Sequence, residues 1–336
     1  SNPKDTEFFQ RAQKLTLKNS TLVAFGSTRR PKTRVEDDAN LRALLDASVA
    51  AVAVVGKSSG AHVVQVLETD LDENLKMISD SIRYLRSKGV RVIFDAEHFF
   101  DGFKADPAYA LHSLEVAGKA GAECLVLCDT NGGTLPGDVV SAFEAARKVT
   151  GIPLGIHTHN DAGVAVANTL VAVESGAVHV QGTINGYGER CGNANLCSII
   201  PALKLKMGID CITDAQLAKL TEVSRYISDI SNLVPDPFSP YVGASAFSHK
   251  GGLHVSAMAK WVHSYQHIDP VKVGNKPRVL VSELSGRRNI IQKAKELGFH
   301  LLLKAEVAQK LLKHVKLMES QGFQYESAEA SFELLL

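Results

Sequence analysis

The sequence has few cysteines, almost no net charge and no long apolar run, and each of these absences excludes a class of protein. Five cysteines among 336 residues, an odd number without a Cys-x-x-Cys pair, argue against a disulfide framework and favour reduced thiols in a cytoplasmic protein. A net charge of +1 gives no general attraction to nucleic acid. No apolar stretch is long enough to span a membrane, and the first residues do not resemble a signal peptide. We therefore predict a cytoplasmic protein that binds neither nucleic acid nor membrane.

The first 206 residues alternate short apolar runs with helical patterns, which predicts a parallel sheet covered by helices. No Gly-x-Gly-x-x-Gly follows the first run, which argues against a dinucleotide-binding domain. The predicted strands are residues 21–25, 50–55, 90–95, 123–128, 153–157 and 178–183. The predicted helices between and after them are residues 38–47, 74–88, 107–120, 137–150, 165–175 and 195–206.

Polar residues follow each predicted strand, as they do at the catalytic rim of a (β/α)8 barrel. A closed barrel of this type needs eight strands and six are visible, while residues 4–15 form a helical pattern before the first. The predicted fold class is therefore α/β, a (β/α)8 TIM barrel that lacks its first two strands in this chain, followed by a mostly α-helical appendage. A doubly wound sheet with the same strands is the alternative.

Four segments follow from this pattern. We predict a barrel domain over residues 1–206, incomplete at its N-terminus, and a helix with a linker over residues 207–242. The helix of that segment is predicted at residues 213–229. A helical subdomain follows over residues 243–324, in which residues 247–260, 285–297 and 304–321 are predicted to be helical or partly so. Residues 325–336 end in an apolar run and are interpreted as the start of a further domain.

Two histidines stand out, His157 and His159, directly after the fifth predicted strand. Residues two apart on a strand point the same way, so both imidazoles should project from one face at its carboxyl end. A neutral imidazole pair can supply half of a divalent-metal site. The alternative is two polar residues at the end of a strand.

Four motifs occur in order at residues 127–133, 155–161, 185–195 and 247–254. The second contains His-x-His-Asn-Asp and the third Gly-Glu-Arg-x-Gly-Asn. Together they resemble the family of 2-isopropylmalate, homocitrate and citramalate synthases, which are metal-dependent condensing enzymes on a (β/α)8 barrel. The resemblance covers essentially the whole chain, and residues 26–31 and 273–287 look most like the citramalate branch.

The resemblance implies that His157 and His159 are metal ligands, with Asn193 at or near the coordination sphere. The family's remaining ligand is an Asp in a Leu-Arg-Asp-Gly motif that this sequence does not contain, so we expect the chain alone to be catalytically impaired. Mixed nitrogen and oxygen ligands leave Zn, Mn and Mg open as the divalent metal ion. Asn193 could instead cap a loop.

The resemblance also implies residues that bind the 2-oxo acid. Thr130 resembles the residue that hydrogen-bonds the carboxylate of that acid, and a helix cap or turn is the alternative. Asn131, Glu189 and Arg190 are implied as further substrate-binding residues.

Three residues are implied in catalysis. Glu97 occupies the position of a catalytic carboxylate near the acetyl group, and a salt bridge at the rim is the competing interpretation. His254 matches a histidine that reaches a barrel, typically that of the partner subunit, and could act as the base, or it could simply pack a helix. Tyr265 is the candidate hydroxyl that accompanies it. The sequence departs from the family at Ser256, where relatives often carry an acidic residue.

The implied activity is the Claisen condensation of acetyl-CoA with a short 2-oxo acid, most closely pyruvate, giving (R)-citramalate and CoA in isoleucine biosynthesis. Alternatives are 2-isopropylmalate or homocitrate synthase, a metal-dependent lyase or aldolase of the same superfamily, and a non-catalytic truncated product. The implied partners are small molecules, with acetyl-CoA as cosubstrate, and a second copy of the chain in a homodimer. A regulatory domain that binds an amino-acid end product would follow residue 336.

Overall fold

A parallel sheet forms the first of two units in the computed structural model, which describes residues 3–258, 260–299, 305–326 and 328–336. The units comprise residues 1–199 and 200–336. Within the first unit, every neighbouring pair of strands is parallel, and the strand order follows the sequence. This sequential order is that of a barrel wall, and not of a doubly wound sheet, whose order reverses at a switch point. The strands are β1 (Val23–Ser27), β2 (Ala51–Lys57), β3 (Arg91–Glu97), β4 (Cys124–Asp129), β5 (Leu154–Thr158) and β6 (His179–Gln181).

All six predicted strands are confirmed, each displaced by no more than a few residues. They were recognisable because strands covered on both faces are apolar along their whole length, and all six residues of β4 are buried. The predicted part of a (β/α)8 barrel is therefore present as a six-stranded parallel wall.

Helices cover the outer face of this sheet. All six helices predicted after the strands are confirmed, together with the helix before β1. Two short helices were not predicted, since they have six and seven residues and little room for a helical period. The helices of the chain up to residue 205 are α1 (Pro3–Ala12), α2 (Ala39–Asp46), α3 (Gly60–Gln65), α4 (Leu71–Ser87), α5 (Phe99–Ala105), α6 (Pro107–Ala120), α7 (Pro136–Val149), α8 (Ala165–Glu174) and α9 (Leu196–Leu205).

The core of the first unit lies between the sheet and these helices. Phe94 of β3, Phe99 of α5 and Phe143 of α7 are fully buried in one apolar cluster with Leu125 and Leu127 of β4. Each such side chain contributes about 1.5–3 kcal/mol when removed from water. This packing holds the carboxyl ends of the strands in place, where the polar motifs lie.

The second unit contains mostly helices, as predicted, and two of the predicted helices differ in extent from the observed ones. Residues 247–260, predicted to be helical or partly so, are partly helical, because Ser248–His249 (β7) pair in parallel with Arg278–Val279 (β8) and the helix begins only at Gly252. The helix predicted at residues 213–229 is divided, because Ala218 caps a short first helix and a second begins at Leu220. The remaining helices are α10 (Asp214–Leu217), α11 (Leu220–Ile230), α12 (Gly252–Met258), α13 (Arg287–Glu296), α14 (Ala305–Ser320) and α15 (Glu329–Leu335).

A separate apolar cluster stabilises the second unit. It joins Ile290 of α13, Val315 of α14 and Phe332 of α15. Part of the predicted helix at residues 304–321 and part of the segment 325–336 lie outside the described residues. No helix formed by the described residues combines the length and apolarity needed to cross a membrane.

We predict that Gly102→Ala destabilises the first unit, because α5 touches the loop after β2 at this glycine. A Cβ atom there would lie 2.3 Å from the carbonyl oxygen of Ser58 and 2.9 Å from Cα of Ser59. Overpacking against backbone costs about 1–3 kcal/mol, which should lower the midpoint of urea denaturation followed by circular dichroism.

Gly137→Ala is the matched control, since Gly137 also lies in a helix and a Cβ there meets nothing within 4 Å. It should leave the midpoint unchanged or raise it slightly, because alanine favours helix. Equal midpoints for the two variants would contradict the close contact at Gly102.

Candidate active site

Three side chains converge at the carboxyl end of β5. His157 is on the strand and His159 follows it, and their ring centroids are 5.2 Å apart. The backbone of His159 pairs with that of Asn193 in an isolated antiparallel bridge. The amide nitrogen of Asn193 lies 3.3 Å from Nε2 of His157 and 3.4 Å from Nε2 of His159. The three predicted metal ligands thus direct polar atoms to one point.

The loop after β6 requires glycine at two positions to present Asn193. A Cβ on Gly188 would lie 1.8 Å from Oδ1 of Asn193, and one on Gly192 would lie 2.1 Å from the carbonyl oxygen of Gly186. Gly192 also has a φ of +89°, which side chains with a Cβ rarely adopt. The Gly-Glu-Arg-x-Gly-Asn motif therefore has a local steric cause.

The electrostatic environment favours neutral imidazoles. Burial lowers the pKa of His157, and burial followed by the nearby charge of Arg190 lowers the pKa of His159. Neutral imidazole is the form that ligates metal. A half-turn of the Asn193 amide would present its oxygen to the same point. Two imidazole nitrogens and an amide oxygen suit a divalent cation with open positions, although no cluster of three His, Cys, Asp or Glu side chains occurs among the described residues.

Two residues behind His157 were not predicted. Nδ1 of His157 lies 2.8 Å from Oε1 of Gln181 on β6, and Nε2 of Gln181 lies 2.9 Å from Oδ1 of Asp95 on β3. Asp95 is 4% exposed, and burial raises its pKa to about 7 against the lowering effect of the bond from Gln181. A carboxyl group inside the apolar strand 91–97 was the available signal in the sequence.

Glu97 ends β3 and forms an ion pair with Lys57, which ends β2. Both side chains are mostly buried, so the pair is held within the rim. The salt bridge that competed with a catalytic interpretation of Glu97 is therefore present. A carboxylate at this position could still reach a substrate, and its catalytic role remains a prediction.

The predicted substrate-binding residues link neighbouring loops. Arg190 donates two hydrogen bonds, of 2.8 and 2.9 Å, to the carboxylate of Asp161. It donates a third, of 2.8 Å, to the backbone oxygen of Thr130. The Thr130 hydroxyl accepts a 2.9 Å bond from the backbone N–H of His98. This bond agrees with the alternative interpretation of Thr130 as a helix cap or turn residue.

Asn131 and Glu189 occupy the same loops. The amide of Asn131 donates a 2.8 Å hydrogen bond to Asp101, at the start of α5. Glu189 precedes Arg190 and its side chain is exposed. Thr130, Asn131 and Arg190 are thus brought together around the carboxyl ends of β4 and β5.

Two further candidates lie in the second unit. The rings of His254 and Tyr265 stack with centroids 4.0 Å apart and planes inclined by 25°. Both side chains are exposed. The predicted pairing of an imidazole with a phenol is therefore present, and their catalytic role remains a prediction. At the departure from the family pattern, Ser256 accepts a 2.5 Å hydrogen bond from Arg288.

Arg29 lies after β1, but its side chain is buried and forms ion pairs, so it is not exposed for contact with a substrate. Its guanidinium is 7% exposed and forms ion pairs with Glu73, at 2.7 Å, and Asp80, at 3.0 Å, on α4. Paired hydrogen bonds of this type fix the planar group strongly. Arg29 therefore holds the loop after β1 to a helix.

We predict that Asp95 makes stability fall between pH 3.8 and about 7. The carboxyl has a raised pKa in the folded chain, so unfolded chains lose the proton first. The contribution of this carboxyl group to the free energy of unfolding is therefore full below its pKa of 3.8 in the unfolded chain, and it is lost as the pH rises through about 7. In the wild type the free energy of unfolding should fall by up to about 4 kcal/mol over this pH range, at about 1.4 kcal/mol per pKa unit, and Asp95→Asn should abolish this fall.

The measurement is urea denaturation at several pH values. Asp161→Asn is the control, because Arg190 lowers the pKa of Asp161 and its titration falls below this range. The same pH slope in the wild type and in Asp95→Asn would show that the carboxyl is ionised in the folded chain at pH 4.

Comparison with known proteins gives a consistent assignment. Residues 2–227 match the family model described as HMGL-like, and residues 241–322 match a model described as homocitrate synthase post-HMGL domain-like. A structure of HMG-CoA lyase from Brucella melitensis superposes with a TM-score of 0.57 and 17% identity, covering 68% of this chain and 80% of that one. The fold is therefore shared with this lyase.

Several curated relatives align over the full chain. The chain is 53% identical to an (R)-citramalate synthase of Synechocystis sp. and 52% identical to one of Geobacter sulfurreducens, in both cases over 100% of its length. It spans 63% and 64% of these two relatives. A homocitrate synthase of Methanopyrus kandleri is 34% identical over 82% of the chain and 67% of the relative. With a family model matched over most of its length and relatives of this similarity, the chain belongs to the HMGL-like family.

Proposed function

We propose that the protein condenses acetyl-CoA with a short 2-oxo acid, and that the acid is pyruvate and the product (R)-citramalate. The convergence of His157, His159 and Asn193 on one point carries this proposal, since it provides a place for a metal beside predicted substrate residues. The similarity to (R)-citramalate synthases, at 44–53% identity over 98–100% of this chain, supports the choice of pyruvate. In this proposal the protein serves isoleucine biosynthesis in the cytoplasm.

His157, His159 and Asn193 would hold a divalent ion, with Zn, Mn and Mg as candidates. When bound there, such an ion supplies Lewis acidity to the carbonyl of the 2-oxo acid. Thr130 and Asn131, on the loop after β4, would bind the carboxylate of the acid, and Glu189 and Arg190 would close the site from the loop after β6. The bonds of Arg190 to Asp161 and Thr130 keep these loops together.

Enolisation of acetyl-CoA requires a base near its methyl group. Glu97 would accept the proton directly, or His254 would do so with the Tyr265 hydroxyl beside it. The resulting carbanion attacks the ketone carbon of the 2-oxo acid and forms the new C–C bond, while the electron pair of the C=O π bond moves to the oxygen, which takes up a proton and becomes the hydroxyl group of the product. Water then cleaves the thioester, which releases the carboxylate product and CoA with its thiol.

A homodimer accompanies this proposal. Residues 243–300 would cover the barrel of a second copy, which would bring His254 to the metal site of that copy. In such a dimer each active site contains residues of both chains.

Substrate choice is tested by comparing kcat/KM for pyruvate, 2-oxoisovalerate and 2-oxoglutarate with acetyl-CoA, using the full-length protein and a thiol reagent for CoA. We expect pyruvate to be preferred. Preference for either longer acid would make the protein an isopropylmalate or homocitrate synthase. Cleavage of a citramalyl thioester without thiol release from acetyl-CoA would favour the lyase alternative, and no turnover would favour the non-catalytic one.

We predict that His157→Ala lowers affinity for Zn²⁺ or Mn²⁺ by about tenfold or more and abolishes condensation, because one of the converging nitrogens is lost. Competition with a chromogenic chelator measures the affinity. His179→Ala is the matched control, because His179 is a partly buried histidine on the neighbouring strand whose pKa is also lowered by burial. Equal affinities for the wild type and His157→Ala would place the metal elsewhere.

The shared active site gives a separate prediction. His157→Ala and His254→Ala variants are inactive alone, but their heterodimer has one barrel with an intact His157 and an intact His254 from its partner. Random mixing should therefore restore about a quarter of the active sites. No recovery after mixing, with heterodimers verified by two affinity tags, would contradict the exchange of His254 between copies.

A further inference from the structure

A chain of two hydrogen bonds connects a buried carboxyl group to the candidate metal site. It runs from Oδ1 of Asp95 to Nε2 of Gln181, over 2.9 Å, and from Oε1 of Gln181 to Nδ1 of His157, over 2.8 Å. The three residues belong to β3, β6 and β5, so rigid strands carry every member of the chain. The other ring nitrogen of His157 faces Asn193.

We propose that Gln181 is a positioning residue that fixes the tautomer of His157, and that Asp95 sets the orientation of the Gln181 amide. The inference rests on the proposed metal site, and it concerns which nitrogen of His157 is available there. With the proton held on Nδ1, the lone pair of Nε2 points to the side where His159 and Asn193 converge.

The donor and the acceptor of each of these two hydrogen bonds follow from the chemistry of Asp95, Gln181 and His157. Oε1 of Gln181 can only accept, so the nitrogen of His157 that faces it must carry the proton. Gln181 could otherwise turn its amide over, and its NH₂ group would then face the imidazole and favour the opposite tautomer. The tautomer of His157 is thus decided by which end of the amide points at it.

Asp95 makes one orientation of the amide favourable. Its Oδ1 accepts from the NH₂ group of Gln181, and turning the amide would set Oε1 against that oxygen. Because Asp95 is buried, water cannot easily replace the lost partner. The facing oxygen can accept in both ionisation states, since the proton of the neutral acid can reside on the other oxygen. The ionised carboxylate, which can only accept, enforces this orientation most strongly.

If the two hydrogen bonds had a purely structural role, a different result would be expected. If they only satisfied buried polar groups, breaking them would lower stability without changing the tautomer or metal affinity. The ¹⁵N chemical shifts of a histidine distinguish a proton on Nδ1 from one on Nε2, and they can be measured without metal. They provide a readout that does not need an active enzyme.

The experiment uses the full-length protein with ¹⁵N-labelled histidine, and His157→Gln assigns the signals. Gln181→Met removes both hydrogen bonds at similar side-chain length. Gln181→Glu keeps an oxygen that accepts from His157, and the two carboxyl groups can share one proton. Gln13→Met is the matched control, because it makes the same substitution at a distant hydrogen bond, from Gln13 to the carbonyl of Ala47.

We expect the wild type, Gln181→Glu and Gln13→Met to carry the His157 proton on Nδ1. Gln181→Met should populate the Nε2–H form and bind Zn²⁺ about 10–100-fold more weakly, as loss of a hydrogen bond to a ligating histidine does. Asp95→Leu should show a mixed tautomer, because Gln181 is then free to turn.

Two failures can be told apart. An unchanged tautomer and Zn²⁺ affinity in Gln181→Met, in a folded variant, would overturn the positioning role while leaving the metal site in place. If His157→Gln binds Zn²⁺ as tightly as the wild type, the proposed metal site is wrong, and the tautomer measurement still decides whether Gln181 controls His157.

Discussion

The register of the parallel strands is the constraint on which the candidate site depends. His157 of β5 lies beside Cys128 of β4 on one side and Gln181 of β6 on the other. Because side chains alternate along a strand, this register decides which of them share a face with the imidazole. A slip of one residue would turn His157 away from Asn193 and move Gln181 to the opposite face. The apolar core that fixes the register therefore also fixes the chemistry.

Much of the first unit could be predicted from its sequence because its local signals agree. Strands buried on both faces are apolar throughout, and helices with a polar side show their period, so elements such as β4 and α6 were recognisable. The order of these elements then requires a parallel sheet, whose carboxyl ends collect the motifs. The proximity of His157 to His159 could be predicted from the period of a strand alone. The proximity of Asn193 to these two histidines was predicted only from the resemblance to the family motif.

Other features depended on partners far away in the sequence and could not be predicted. A salt bridge of Glu97 was one of the predicted alternatives, but its partner Lys57 was not predicted, because the pair requires β2 and β3 to end at the same level. The link between Asp95 and Gln181 joins residues 86 positions apart. In the second unit, β7 has only two residues, and its pairing with β8 was not predicted. Short elements of this kind are specified by their neighbours and not by their own composition.

The tight packing of the loop after β6 bears on how new substrate preferences could arise. Gly188 and Gly192 leave no space for added atoms around Asn193, so the length and backbone path of this segment are fixed by contact. The loop after β4 is closed in the same way at Gly132, where φ is +69° and a Cβ would lie 2.3 Å from Oδ2 of Asp161, and it is open at Gly133, where a Cβ meets nothing within 4 Å. Libraries built on residues 186–193 or on Gly132 should therefore yield mostly inactive clones, while directed evolution of this barrel can accept larger side chains at Gly133.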